Sequence, residues 1–321
     1  MMLDRLSKIL ALAVYGVLFT CGFVVLWTPF FVKAMLLRVM NILWWDVVKF
    51  RRHVVLANLC AVFPREREES MDAYRRRIEA IGKRSIWHAC YGFFEVLEGF
   101  AWNHNTVRRR VRYHNFERFE SLVAQEKGFF VLTAHLGTWD LAGLSLVARG
   151  VKLAAITRFL RSRFWDFIWM RSRRRTGIRF LAESYSGRSL VRSFREGYCI
   201  AFMMDQHTGK PHGIETTFLG LKAWSPKGLA ILSRALRAPI VEGYVLRDER
   251  GGYDLHVGDE IPPCAESNGV HKDEDVALHV RLCNEKMEQW IRRYPEQYLW
   301  LHRRFKASLD YRAALPWESA L

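Results

Sequence analysis

At 321 residues, half of them hydrophobic and 14% aromatic, the chain can bury a sizeable core in one large domain or two small ones, which excludes an intrinsically disordered protein. Forty-nine lysines and arginines against 33 acidic residues give a formal charge of +16, so the expected partner is anionic: nucleic acid, an acidic membrane surface, a phosphorylated lipid or an acidic carrier protein. The six cysteines (Cys21, Cys60, Cys90, Cys199, Cys264, Cys283) form no CxxC pair and no regular spacing, which argues against a disulfide framework or zinc site and for reduced, mostly buried thiols.

In chain order, the first element is ILALAVYGVLFTCGFVVLW, Ile9 to Trp27, without a charged residue. At about 1.5 Å per residue it is long enough to cross a hydrocarbon core of roughly 30 Å. A single membrane span is expected, with Trp27 as an interfacial anchor. A buried core helix and a cleaved signal peptide are the alternatives, the second weakened by the long apolar run and the lack of a small-residue cleavage site. More basic residues follow this stretch (Lys33, Arg38, Lys49, Arg51, Arg52) than precede it (Arg5, Lys8), which predicts that the body of the protein faces the cytoplasm. Phe30 to Phe50, with Trp44 and Trp45 among aliphatics, fits an amphipathic helix on the membrane surface or equally a helix packed on the core. The expected division is a membrane anchor and interfacial helix over 1–50 and a cytoplasm-facing domain over 51–321.

From Arg65 to Phe100 charged and apolar residues mix at helical spacing, through Ile78, Ile81, Ile86 and Leu97. Beyond it short apolar runs alternate with amphipathic stretches. GFFVLTAH, VKLAAIT, YCIAFMMD and PIVEGYVL are predicted strands; Leu141 to Ala148, Ser189 to Arg195 and GLAILSRAL are predicted helices. Asp248 to Gly252 reads as a hairpin turn before YDLHV. Strands alternating with helices predict an α/β fold with a largely parallel central sheet flanked by helices, whose ligands bind beyond the carboxyl ends of the strands. His135 ends one predicted strand, Arg158 follows the next and Asp205 ends the third, so three candidate site residues converge on one rim.

TAHLGTWD places Asp140 five residues after His135, with Gly137 allowing a tight turn and Thr138 able to cap the helix that follows. Residues five apart on a regular helix are splayed by about 140°, so a turn must intervene for the carboxylate to reach the imidazole. A carboxylate on one ring nitrogen fixes the tautomer and leaves the other free to take a proton from an alcohol attacking an acyl carbon. No serine or cysteine sits in a nucleophile elbow nearby, which favours direct attack by an acceptor hydroxyl over an acyl-enzyme. By itself the spacing is common; a strand-end histidine near a surface aspartate produces it too.

Three further blocks follow in order: MMDQHTG, FLGLKAWSPKG and YPEQYLWLHRRFK. Together with TAHLGTWD they resemble the bacterial lipid A biosynthesis acyltransferases, the lauroyl and myristoyl transferases included, from the N-terminal hydrophobic helix to about Lys306. The resemblance places the chain in the wider glycerolipid acyltransferase group with an HxxxxD or HxxxxE signature, and implies a glycerol-3-phosphate acyltransferase-like fold. It implies a single-pass inner-membrane enzyme with its catalytic domain at the cytoplasmic face. Such an enzyme moves a fatty acyl chain from acyl carrier protein to a hydroxyl of a hydroxyacylated glucosamine disaccharide precursor of lipid A, in lipopolysaccharide biosynthesis, without a metal or organic cofactor. By position His135 resembles the general base and Asp140 its orienting acid. Arg158 matches the arginine of the second block, and Asp205 with Gln206 the third. The Arg-dense RFLRSRFWDFIWMRSRRR departs from the family's polar, proline-containing stretch, which opens the acceptor to other glycolipids such as a phosphatidylinositol mannoside.

Eight arginines lie between Arg158 and Arg179, interleaved with Phe159, Phe164, Trp165, Phe167 and Trp169. Guanidinium groups grip phosphates while the aromatic faces meet acyl chains, which suits a phosphorylated glycolipid; a solvated basic face on an anionic membrane is the plainer reading. Arg158 could serve the thioester oxyanion or the acceptor, and Asp205 could be catalytic or hold its loop. His207 and His212 lack a third metal ligand. Arg108 to Arg112, with Arg292, Arg293, Arg303 and Arg304, could steer an acidic acyl carrier protein. Basic patches with aromatics also suit single-stranded nucleic acid, a rival that the apolar N-terminal stretch disfavours, and a non-catalytic membrane scaffold is the other.

Overall fold

The alternation of apolar runs and amphipathic stretches folds into strands and helices in the computed structural model, which describes residues 5–157, 160–182, 187–264 and 272–318. A helical N-terminal third comprises α1 (Arg5–Trp27), α2 (Phe30–Ile42) running into a π-helical turn (Leu43–Val48), α3 (Arg52–Val62), α4 (Met71–Gly99) and α5 (His104–Arg110). Then come β1 (Val111–His114), α6 (Glu117–Val123), β2 (Phe130–Thr133), α7 (Trp139–Ala148), β3 (Leu153–Thr157), α8 (Arg163–Arg174), β4 (Arg179–Ala182), α9 (Gly187–Arg195) and β5 (Cys199–Met203). The chain continues through β6 (Gly213–Phe218), β7 (Leu221–Pro226), α10 (Gly228–Leu236), β8 (Ile240–Arg247), β9 (Tyr253–Ile261), α11 (Lys272–Arg293) and a 3₁₀ turn (Pro295–Gln297).

Among the described residues the main sheet has seven strands in the order β1-β9-β8-β2-β5-β3-β4. All its neighbouring pairs are parallel except the β8–β9 hairpin. The fold is thus the expected α/β class with a largely parallel sheet flanked by helices. The hairpin turn falls at the predicted place, where Asp248 Oδ1 accepts from the backbone N–H of Arg250 (2.8 Å) and Gly252 (2.6 Å). Two strands in FLGLKAWSPKG and its approach were not predicted: β6 and β7 pair as a separate antiparallel hairpin. Polar side chains alternate with apolar ones along them, which masks the apolar run that marks the central strands. Four of the cysteines, Cys90, Cys199, Cys264 and Cys283, are buried.

α1 lies along α4 and α8 with Ala11, Tyr15, Gly22 and Leu26 buried. The crossing on α4 is so close that a Cβ on Gly22 would meet the Leu97 carbonyl oxygen at 2.1 Å. The opposite side, with Leu6, Ile9, Val17, Phe23 and Trp27, is exposed and apolar, and the helix is long and apolar enough to cross a membrane. α2 combines both features open from sequence. Its inner face buries Lys33, Leu37 and Asn41 beside α4, while Phe31, Met35, Val39 and Ile42 form an exposed apolar stripe.

A lysine on the inner face of α2 requires a counter-charge, and Glu98 of α4 supplies it. The Lys33 ammonium pairs with Glu98 Oε1, and Arg110 Nη1 reaches Oε2 at 2.9 Å, with Lys33 and Glu98 both sealed from solvent. Glu98→Ala leaves a buried lysine unpaired and is expected to cost about 3–5 kcal/mol, read as a lower unfolding temperature in detergent. An unchanged temperature would show that the pair carries no net stability.

Candidate active site

β2 and β5 are adjacent and parallel, with Thr133 opposite Met203. Two residues beyond that rung on each strand stand His135 and Asp205, so sheet register alone brings them together. Asp205 is 1% exposed. Its Oδ1 lies 3.0 Å and its Oδ2 3.2 Å from His135 Nδ1, and Oδ2 also accepts the His135 backbone N–H at 3.2 Å. A carboxylate can only accept, so Nδ1 carries the proton and Nε2 is the basic nitrogen. The Gln206 side-chain nitrogen sits 3.2 Å from Nε2, and Trp139 packs edge-on to the imidazole at 4.9 Å.

Burial opposes charging the ring, but the Asp205 charge and hydrogen bond, with the Asp140 charge added, outweigh it and hold the His135 pKa above 6.5. In Asp205 burial likewise opposes ionisation, and the imidazole and Arg304 overcome it, keeping the carboxyl below its usual range. The two groups thus favour an ionised aspartate facing a basic histidine.

The turn after His135 depends on Gly137, whose φ is +60°; a Cβ there would meet the Val245 carbonyl oxygen at 1.8 Å. The close approach is used: Thr138 donates its N–H to that same oxygen (3.2 Å). The far side of the loop is stitched to YPEQYLWLHRRFK. Gly137 donates to the Gln297 carbonyl (3.0 Å), Leu299 donates to the His135 carbonyl (3.0 Å), and the Tyr298 hydroxyl reaches the Asp205 carbonyl (3.4 Å). The closing block therefore holds both the His135 and the Asp205 segments, a role its sequence did not reveal. Arg304 of the same block is 2% exposed and bonded to the Trp224 carbonyl and Ser225 hydroxyl. It cannot steer a partner at the surface, as its charge alone suggested; its field acts inward, on Asp205.

Two sequence expectations are corrected by geometry. The carboxylate in contact with His135 is Asp205, whereas Asp140, in the first turn of α7, pairs with Arg173 of α8 (Nη2 to Oδ1, 3.0 Å). Asp140 lies on a helix that leads away from the imidazole, so it reaches the ring through its field and not by a hydrogen bond. Thr138 occupies the N-cap position without a capping bond. Arg173, one of the eight arginines, also donates to the Thr157 hydroxyl at the end of β3 (2.7 Å) and covers the Trp169 and Phe180 rings. Arg158 lies outside the described residues.

Behind Asp140, between α7 and the sheet, is a cavity of about 230 Å³. Residues of the neighbouring strands β3, β5, β2 and β8 face it, including Ala155, Ala201, Val131 and Gly243, and α7 contributes Gly143. Small side chains on both walls leave room that leucines would fill. Arg173 and Thr157 stand with Asp140 among the polar residues lining it. The arrangement can hold an aliphatic chain beside Trp139, whose ring packs on the His135 imidazole.

A family model described as bacterial lipid A biosynthesis acyltransferase matches residues 3–307. A lipid A biosynthesis acyltransferase of Haemophilus influenzae is 24% identical over 198 residues, covering 61% of this chain and 59% of that protein. A lipid A biosynthesis myristoyltransferase of Escherichia coli is 24% identical over 253 residues, covering 79% of this chain and 74% of that protein. The solved 1-acyl-sn-glycerophosphate acyltransferase of Thermotoga maritima superposes with a TM-score of 0.36 at 10% identity, covering 81% of this chain and 98% of that one.

Proposed function

Since the chain belongs to the bacterial lipid A biosynthesis acyltransferase family, we propose that it transfers a fatty acyl chain from acyl carrier protein to a hydroxyl of a phosphorylated lipid A precursor, with His135 as general base. The supporting observation is a histidine whose Nδ1 is held 3.0 Å from a buried aspartate, with an apolar cavity running behind the neighbouring Asp140.

In this reading Nε2 takes the proton of the acceptor hydroxyl as its oxygen attacks the thioester carbon. Asp205 keeps the tautomer and stabilises the imidazolium that forms. The Gln206 amide, 3.2 Å from Nε2 and 3.4 Å from Nδ1 of the ring, donates to the developing oxyanion, a contribution of about 3–4 kcal/mol for one such donor; Arg158 is assigned to the same oxygen or to the acceptor. Asp140 adds its charge to the field on His135 and orients Arg173 at the mouth of the acyl cavity. Collapse breaks the carbon–sulfur bond, and the departing thiolate receives the proton from the imidazolium. No cofactor enters these steps.

The same proposal places residues 1–50 as inner-membrane anchor and interfacial segment, with α1 crossing once and residues 51–321 at the cytoplasmic face. The exposed apolar sides of α1 and α2 and the basic residues after α1 support it. The test is to incubate the detergent-purified chain with acyl-loaded carrier protein and a phosphorylated, acylated glucosamine disaccharide. A product heavier by one acyl chain is expected. No transfer to this acceptor, or transfer to a phosphatidylinositol mannoside instead, would refute the assignment.

A further inference from the structure

Asp140 has apolar space on two sides. Beyond Trp139 and away from the cavity under α7, a second cavity, also about 230 Å³, lies between α4 and the segment 297–301. We propose that this second cavity receives an aliphatic chain of the acceptor lipid, entering sideways from the bilayer; the inference rests on the acyl-transfer reading above.

On the α4 side Ala89, Gly92, Phe93 and Val96 form the apolar part of the wall, beside the polar Ser85, His88 and Glu95. Phe93 and Val96 are 52% and 39% exposed, and with Trp44 they continue the exposed apolar stripe of α2 and the π-helical turn into the cavity mouth. A chain lying against that stripe can thus slide in without crossing water. A glycine inside a 29-residue helix is unfavourable for the helix, yet Gly92 leaves open space: a Cβ there would meet nothing nearer than Arg247 Nη2, at 4.0 Å.

The charge inside also selects the occupant. Arg247 lines the cavity but is bound bidentately by Glu95, at 2.7 and 2.6 Å, with both residues buried. A phosphate finds no unpaired guanidinium there. His88, 5% exposed, is kept neutral by burial and by Arg247 and Arg84, and its Nδ1 has no partner. A neutral ring nitrogen suits a hydroxyl or amide of a lipid backbone and not an anion. The cavity under α7, by contrast, has Arg173 at its lining and the basic helix α8 beside it, which suits the thioester of an acidic carrier. The two chains would then approach His135 from opposite sides of Trp139.

The experiment uses the full chain in nanodiscs with a phosphorylated diacylglucosamine carrying a diazirine at mid-chain. Irradiation is expected to label peptides containing residues 89–96. Gly92→Trp, which fills the cavity, and Val96→Trp, at its exposed mouth where folding is not at stake, should each suppress that label. In the transfer assay both should raise the acceptor KM about tenfold or more and leave the KM for acyl-loaded carrier protein unchanged. Label confined to residues 5–50, label undiminished in both variants, or label at 89–96 from a diazirine-bearing acyl thioester would each overturn the proposal. Labelling needs no turnover, so expected labelling without any acyl transfer supports the cavity as a lipid site and refutes the enzymatic reading alone.

Discussion

Replacing His135 by alanine is expected to lower acyl transfer by about 10²–10⁴-fold or more, while the protein stays folded. The side chain is 18% exposed, and the loop's backbone bonds, from His135 N–H to Asp205 and from Leu299 to the His135 carbonyl, do not need the imidazole. The local structure is therefore expected to survive truncation, and what disappears is the proposed base. Measurement of transfer rate beside the unfolding temperature checks this. Full activity in a folded variant would remove His135 from the chemistry, and loss of folded protein would make its role structural.

Asp205→Asn should lose about 10³–10⁴-fold in turnover, because an amide no longer dictates which ring nitrogen holds the proton. Its pH profile is the sharper readout. The base must be neutral to act, so kcat/KM rises with pH through the His135 pKa and levels off above it. In the intact site burial lowers that pKa, but the Asp205 charge and hydrogen bond and the Asp140 charge raise it beyond 6.5. The rising limb is accordingly expected above pH 6.5 in the unmodified protein. In Asp205→Asn the chief raising influence is gone and burial persists, so the limb of the residual activity should move to lower pH. A limb that stays in place would show that Asp205 is not the charge that tunes His135.

The hydrophobicity of the first helix, the α/β alternation, the hairpin turn and the strand-end position of His135 and Asp205 were legible because each depends on residues close together in the chain. Period and turn chemistry are local properties. The carboxylate that meets the imidazole was not, since a five-residue spacing points to Asp140 whereas contact is decided by which strands are neighbours. Thr133 pairs with Met203 across 70 positions of sequence, and only that register sets Asp205 against His135.

The same distinction separates the remaining features. Composition and order of residues determined by themselves that the chain is basic, carries one long apolar helix and has a histidine followed by a turn at the end of a strand. Tertiary structure alone decided that Arg304 points inward, that the closing block clasps the His135 loop through backbone hydrogen bonds, and that small residues from three strands and α7 open a cavity beside Asp140. The physical reason is that a side chain's charge and size are written at its own position, while its partner, its burial and the space before it belong to segments that meet only on folding.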